Sequence, residues 1–267
     1  MTAATTTDAD FGRALAFDRA LYERACERAE PHPWGVAMFD TRRPRFWALN
    51  SLHAGAPLPR SFGAREAVAE LERLYAGFPH RRLFVADDAG GRRIAPAMLG
   101  MGWGAHHEVF MALRGDRDRP PSPGLAREAS EEELRAVERA MLAEDPGGSP
   151  DVLDEIVAGR SAIREAAPVT RRFVGAYEGR DGATATLYSD GTVAQVEDVG
   201  TLVALRGRGL ARAVVSAAVD AALADGNELV MLVADDDDWP KELYAKLGFD
   251  PIGKVWAFLR AARSPGA

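Results

Sequence analysis

The 267 residues carry 47% apolar and 27% charged side chains, a globular balance that excludes a disordered or fibrous chain. With 33 basic residues against 40 acidic ones the net charge is -7, which argues against a nucleic-acid partner, because such a partner needs a basic face. One cysteine, Cys26, excludes an internal disulfide framework and a cysteine-rich zinc site.

No apolar run approaches the ~18 residues that a membrane span requires, and the first twenty residues lack the pattern of a secretory signal. The expectation is a cytoplasmic protein with no membrane partner. At roughly 100–200 residues per domain, the length allows two small domains or one large one.

In the first half, a helix rich in Ala, Arg and Glu pairs Leu21 with Ala25 and is read as carrying Cys26 as a packing residue. Trp34, Trp47 and Trp103 cluster in this half and read as core, contacts between lobes, or a pocket wall. The adjacent His106 and His107 point to opposite faces of a strand and make no metal site; no metal is expected.

Arg114 to Gly124, RGDRDRPPSPG, has three prolines and alternating charge, and reads as a linker. Gly124 to Ala129 follows as a short strand. Ser130-Glu131-Glu132-Glu133 is a capping box opening a helix with Leu134, Val137 and Met141–Leu142 on one face. Asp145 to Pro150, DPGGSP, separates it from a second helix, about Ser149 to Ala166. Strands follow at about Thr170–Glu178, Ala183–Tyr188 and Val193–Val203, with a tight turn at Asp190-Gly191. Helix Leu210–Ala224 ends at Gly226, and strand Leu229–Val233, helix Trp239–Leu247 and strand Val255–Leu259 close the chain. Two helices, an antiparallel meander and then strand–helix–strand–helix–strand predict an α/β fold with a mixed, mostly antiparallel sheet flanked by helices.

The first half repeats part of this pattern. Val85-Ala86-Asp87-Asp88 returns as Val233-Ala234-Asp235-Asp236, and Leu99-Gly100 as Leu247-Gly248 and Phe110 as Phe258 at the same spacing. Arg60-Ser61-Phe62-Gly63 lies opposite Arg206-Gly207-Arg208-Gly209 with a two-residue slip. Matches in register across strand, helix and strand predict a pseudo-duplicated chain.

The stretch from Val196 to Ala211, VEDVGTLVALRGRGLA, carries the chemistry. A strand runs into a glycine-punctuated turn that opens an amphipathic helix, whose first-turn N–H groups and dipole bind anions. Gly207 and Gly209 remove β-carbons that would hold a phosphate off the backbone, and Arg206 and Arg208 add charge, so the physical reading is a diphosphate cradle. It is not a triphosphate P-loop, because no Lys-Ser/Thr pair follows Gly209. Nor is it a dinucleotide fingerprint, because only Gly207-x-Gly209 is present.

The run Arg206-Gly207-Arg208-Gly209-Leu210-Ala211 resembles the R/Q-x-x-G-x-G/A signature of the GCN5-related N-acetyltransferases (GNAT). Downstream, Leu243-Tyr244-Ala245-Lys246-Leu247-Gly248-Phe249 resembles that family's L-Y-x-K-x-G-F. The resemblance covers about Leu125 to Leu259, and about Ala14 to Leu113 looks like a degenerate copy. In that copy Arg65 stands where a small residue should be, and Leu99-Gly100 lacks the preceding tyrosine. The organisation implied is a degenerate lobe over 11–115, a linker over 116–124 and a catalytic lobe over 125–262.

What the resemblance implies is acetyl-CoA as cosubstrate, bound across a splay between two parallel strands. Backbone groups of Thr201, Leu202 and Val203 would pair with the pantetheine, and Arg206 to Ala211, including Leu210, would hold the pyrophosphate. A small-molecule or peptide amine would attack the thioester directly, and a homodimer is left open. A free alkyl amine has a pKa near ~10.4, so a base must take a proton, and the departing thiolate needs an acid. Tyr244 stands at the position of the family's acid; the alternative is a core tyrosine with an incidental partner. Glu197, nine residues before Arg206, is the candidate base by the same resemblance, because glutamates on this strand serve as bases in some family members. Strand alternation groups it with Gln195, Val199 and Thr201 and puts Val196 and Asp198 opposite, and the alternative is a solvated or ion-paired acid. Asp198 is the second choice.

The acidic run Asp235–Asp238 stands where the family often has an asparagine against CoA, and Asp238 before Trp239-Pro240 reads as a helix N-cap. Two functions remain at this stage. One is an acetyl-CoA-dependent N-acetyltransferase, the other a non-catalytic acyl-CoA binding or sensing protein.

Overall fold

In the computed structural model, residues 3–144 and 149–261 are described. Residues 145–148, inside the DPGGSP break, lie outside the described residues. The helices are α1 (Ala3–Ala25), α2 (Ala64–Leu74), α3 (Asp88–Gly100), α4 (Glu131–Leu142), α5 (Pro150–Ala166), α6 (Leu210–Ala224) and α7 (Pro240–Lys246). The strands are β1 (Arg28–His32), β2 (Gly35–Phe39), β3 (Leu52–Ala54), β4 (His80–Val85), β5 (Gly104–Leu113), β6 (Ala126–Glu128), β7 (Val169–Tyr177), β8 (Arg180–Ser189), β9 (Val193–Thr201), β10 (Leu229–Asp235) and β11 (Phe249–Ala261). None of the helices among the described residues is long and apolar enough to cross a membrane.

Local sequence chemistry sets several boundaries. Ser130 Oγ accepts from the Glu133 N–H at 3.2 Å and Glu133 Oε2 accepts from the Ser130 N–H at 2.8 Å, which is the expected capping box at the start of α4. Asp190 Oδ1 accepts from the backbone of Thr192 and Val193, each at 2.9 Å, and closes the turn between β8 and β9. Cys26 lies just past the end of α1 rather than on it. Trp239, not Asp238, is the N-cap residue of α7, and Asp238 Oδ1 accepts from the Trp239 N–H instead.

All the strands join one mixed sheet in the order β1-β2-β3-β4-β11-β5-β10-β9-β8-β7-β6. Among the described residues its parallel pairs are β3–β4 and β9–β10, one in each half. The repeat seen in sequence is therefore structural: β3-α2-β4-α3-β5 corresponds to β9-α6-β10-α7-β11. The last strand of each copy crosses over. β5 pairs with β10, β11 pairs with β4, and β5 and β11 pair with each other from Phe249↔Leu113 to Leu259↔Gly104.

This exchange fuses the two copies into one sheet with two apolar faces. On one face α6 and α7 cover Val196, Leu232 and Met111, while α2 and α3 cover Leu83, Val85 and Phe258. On the other face α1 and α5 cover Phe84, Phe110, Met231 and Tyr188. Burying each such Val, Leu or Phe is worth about 1.5–3 kcal/mol, so the sheet is held from both sides across the junction. The Arg114–Gly124 segment is docked: the Arg114 and Gly115 N–H groups donate to the Gly248 carbonyl at 2.8 and 3.0 Å, and Arg212 grips Asp118 at 2.6 Å. Gly248 has φ +92°, and a β-carbon there would collide with the Gly115 carbonyl, which explains a glycine in the Leu-Gly-Phe signature.

Candidate active site

Strands β9 and β10 pair from Leu229↔Val193 to Leu232↔Val196 and then separate. Beyond that point β9 pairs only with β8 and β10 only with β5, so a wedge opens between Glu197–Thr201 and Val233–Asp235. The divergence coincides with a β-bulge. Thr186 faces Glu197 but Thr184 faces Gly200, leaving Asp198 and Val199 opposite one residue, and Asp198 has φ +54°.

The bulge overturns the simple alternation expected for this strand. Gln195 and Glu197 do share a face, and Gln195 Nε2 donates to Glu197 Oε1 at 2.8 Å. Val199, expected beside Glu197, packs instead with Val196 in the core under α6. Asp198, expected opposite Glu197, turns to the α5 side and meets Arg160 Nε at 3.2 Å and Arg164 at 3.7 Å. The two carboxylates thus have different tasks. Asp198 is locked in an ion cluster with fully buried Arg164 and Glu138, while Glu197 faces open space.

The second half of the wedge is the cradle. Gly207 and Gly209 have φ +73° and +81°, and Gly209 is the N-cap of α6. A β-carbon at either meets nothing within 4 Å, so left-handed backbone, rather than crowding, demands glycine. Arg206 and Arg208 are exposed, Arg208 lying over the Tyr177 ring at 4.9 Å, and Leu210 is buried beneath them. Ala211 is half-buried in the first helical turn, which has no acidic residue, so its N–H groups are left for an outside anion. A groove of about 250 Å³ lined by Met141, Asp198, Val199, Thr201 and Arg206 runs from this turn back to the bulge. At its edge Glu144 accepts from the Val203 N–H at 3.1 Å, and Leu202 is buried with its N–H bonded to Gly182. Acetyl-CoA fits this set of residues: the parted strands lead to an uncapped helix N-terminus flanked by two exposed arginines that no carboxylate pairs among the described residues, Arg206 Nε donating to the Thr201 carbonyl at 3.3 Å.

The first copy lacks both features. Pairing of β3 with β4 runs from Leu52↔Leu83 to Ala54↔Val85, and the Ala86 N–H still donates to the Ala54 carbonyl, so no wedge opens. At the N-terminus of α2 the Glu66 carboxylate folds over Gly63, occupying the place of an external anion. Trp34 and Phe62 pack edge to face in this copy's core, 4.8 Å between centroids.

Tyr244, on α7, is 7% exposed and packs in the core beneath α6, edge-on to Phe249. Its hydroxyl has no hydrogen-bond partner among the described residues. Burial, and next the Glu197 charge, push its pKa well above the ordinary tyrosine value, so the phenol stays protonated.

Behind the wedge, on the α1 side, lies a cavity of about 280 Å³. Asp18 and Tyr22 reach it from α1, His53 from β3, Arg82 and Phe84 from β4, and His106, Glu108 and Phe110 from β5. Glu197 and Val233 to Asp235 complete it from the wedge strands. Three of its carboxyls, Asp18, Glu197 and Glu108, are held back from ionising. Desolvation raises Asp18 to about 7, opposed by the hydrogen bond from Gln195 Nε2 at 2.8 Å. Desolvation, and next the Asp198 charge, raise Glu197 to about 8, since the part of Glu197 that is accessible faces the cavity. Glu108 is raised by burial too, with the Arg82 charge opposing. His53, stacked on Phe84 at 4.8 Å, is pushed down to about 3 by desolvation, and neither ring nitrogen has a partner.

Sequence reasoning reached Glu197 but none of Asp18, Tyr22, His53, Arg82 and Glu108. One signal was present: Ala14, Phe17, Leu21 and Ala25 form the buried stripe of α1, and Asp18 sits on it as a carboxylate among apolar neighbours. His106 and His107 do part to opposite faces. His106 lines the cavity, while His107 lies between Asp88 at 2.9 Å and Asp236 at 3.2 Å against Trp256. None of Trp34, Trp47 and Trp103 lines the cavity.

The model of the acetyltransferase (GNAT) family matches residues 134–249, the span that holds the wedge, the cradle and Tyr244. No curated protein matches the chain. Among solved structures, a GCN5-related N-acetyltransferase from Kribbella flavida aligns with TM-score 0.59 at 21% identity, over 96% of this chain and 95% of that one. A functionally unknown conserved protein from Staphylococcus epidermidis aligns with TM-score 0.62 at 12% identity, over 85% and 91%. A tandem GNAT protein from the clavulanic acid biosynthesis pathway aligns with TM-score 0.52 at 16% identity, over 96% of each chain. The chain has the GNAT-superfamily fold in tandem lobes, with the family's sequence pattern carried by residues 134–249 and a degenerate copy before it.

Proposed function

We propose that the second lobe transfers an acetyl group from acetyl-CoA to the primary amine of a small molecule by direct attack. The observation that carries this reading is the open wedge, which has an anion cradle on one side and a carboxyl-lined cavity on the other. Acetyl-CoA supplies a thioester carbon to which the amine nitrogen bonds as the carbon–sulfur bond breaks, with the electron pair leaving on sulfur.

The chain's own residues manage the protons. The acceptor arrives as an ammonium, and its charge favours ionised Glu197, whose high pKa then makes it a stronger base than an ordinary carboxylate. Glu197 takes the proton that frees the nitrogen lone pair. Tyr244, kept neutral by burial, gives its phenolic proton to the thiolate, and the second nitrogen proton restores the phenol through the site. The net products are the amide, the free thiol and one proton.

Tyr244→Phe tests this. Turnover with an accepted amine is expected to fall at least tenfold, with acetyl-CoA affinity nearly unchanged. An unchanged turnover number would remove Tyr244 from the mechanism. Tight acetyl-CoA binding with no transfer to any amine of a broad panel would leave the non-catalytic acyl-CoA binder instead.

A further inference from the structure

Arg82 is the odd charge in the cavity. Its neighbour Arg81 is held by Glu72 at 2.9 Å and by two backbone carbonyls, and the arginines of the α5 cluster are likewise paired. Arg82 is half-buried, lines the cavity, and has no carboxylate within ion-pair distance among the described residues. Glu108 and Asp18 are near enough to feel its charge but do not grip it.

A partly buried guanidinium without a partner is costly, and it forms its strongest bonds to a planar carboxylate. On the wedge side of the same cavity, Gln195 Nε2 binds Asp18 and Glu197 together, each at 2.8 Å, which gathers two carboxyls at the place where an amine must lose its proton. The cavity therefore offers a fixed cation on one wall and acids on another. Its volume of about 280 Å³ lies just below the usual range of ligand pockets, roughly 300–1,000 Å³, which suits a small acceptor.

We infer that the acceptor is a free amino acid, a small molecule whose carboxylate pairs with Arg82 while its ammonium is directed to Asp18 and Glu197. This rests on the acetyl-transfer reading and narrows it from any amine to a zwitterion. Burial holds back the ionisation of Asp18, Glu197 and Glu108, which lessens the repulsion that an acceptor carboxylate would meet beside Arg82. Near pH 7 desolvation leaves Asp18 and Glu197 partly protonated. The flat wall formed by Phe84 and neutral His53 then faces the acceptor's side chain.

The test compares amino acids with their decarboxylated amines and their amides, by calorimetric binding and by acetyl transfer, on the wild-type chain and on Arg82→Met. Wild-type protein is expected to bind and acetylate at least one amino acid at least tenfold better, as Kd and as KM, than the matched amine lacking the carboxylate. Arg82→Met is expected to erase that preference while retaining acetyl-CoA binding and the wild-type melting temperature. If the variant does not fold, the matched pairs on wild-type protein decide alone. Equal binding of amino acid and decarboxylated amine overturns the proposal and leaves acetyl transfer standing. Selective binding of an amino acid without transfer keeps the recognition and overturns the transfer reading.

Discussion

Replacing Glu197 with glutamine removes one ionisable group and keeps the shape and an oxygen for Gln195 Nε2 to bond. The carboxyl is raised from its ordinary 4.5 to about 8 in the folded chain, chiefly by desolvation. At about 1.36 kcal/mol per pH unit, ionising it in place costs about 5 kcal/mol relative to the unfolded chain. Desolvation of Glu197 itself is the largest cause and the Asp198 charge the next; because the side chain keeps part of its surface open to the cavity, solvent screening reduces this to roughly half, about 2–3 kcal/mol. The folded state holds the proton longer than the unfolded one, so stability is greatest below about 4.5, falls as pH rises to about 8, and is level beyond. Urea unfolding at pH 5 and pH 9 measures this. The wild-type chain is expected to lose about 2–3 kcal/mol more over that interval than Glu197→Gln, although the variant is the poorer catalyst. Parallel pH profiles for the two proteins would refute the reasoning, because Glu197 would then be solvated.

Two further substitutions probe the cradle and the cluster behind it. Gly209→Ala places an L residue at φ +81° and is expected to lower stability by about 1–2 kcal/mol while retaining acetyl-CoA binding. Gly209→Glu adds a carboxylate at the helix N-terminus and is expected to abolish binding; retained affinity would refute the cradle. Arg164→Met leaves buried Glu138 with only the longer Arg160 contact at 3.4 Å and is expected to cost about 3–5 kcal/mol by thermal or urea unfolding. Adding Glu138→Leu is expected to recover part of that loss, and a single-variant loss under about 1 kcal/mol would show the cluster to be solvated.

Features set by local chemistry were legible in the sequence. The capping box at Ser130, the Asp190 turn and the glycine turn that opens α6 each act within a few residues, and all appear where local rules put them. The in-register repeat was legible as well, because each copy rebuilds the same strand–helix–strand unit.

What escaped depends on contacts between distant strands. The bulge at Asp198–Val199 follows from how β9 meets β8, and period-two alternation carries no sign of it. The cavity exists because β5 crosses to β10 and β11 to β4, which brings Glu108 and Arg82 to a wedge about 90–115 positions further along the chain. Within the first copy, the closure of the β3–β4 pair and the folding of Glu66 over Gly63 are likewise invisible to a motif comparison.

The central claim is that one wedge per chain, in the second lobe, holds acetyl-CoA. Calorimetric titration of the full chain with acetyl-CoA tests it most directly. The account predicts one site per chain, lost in Gly209→Glu and unaffected by substitutions at Gly63. Two sites per chain, or binding that survives Gly209→Glu, would contradict it.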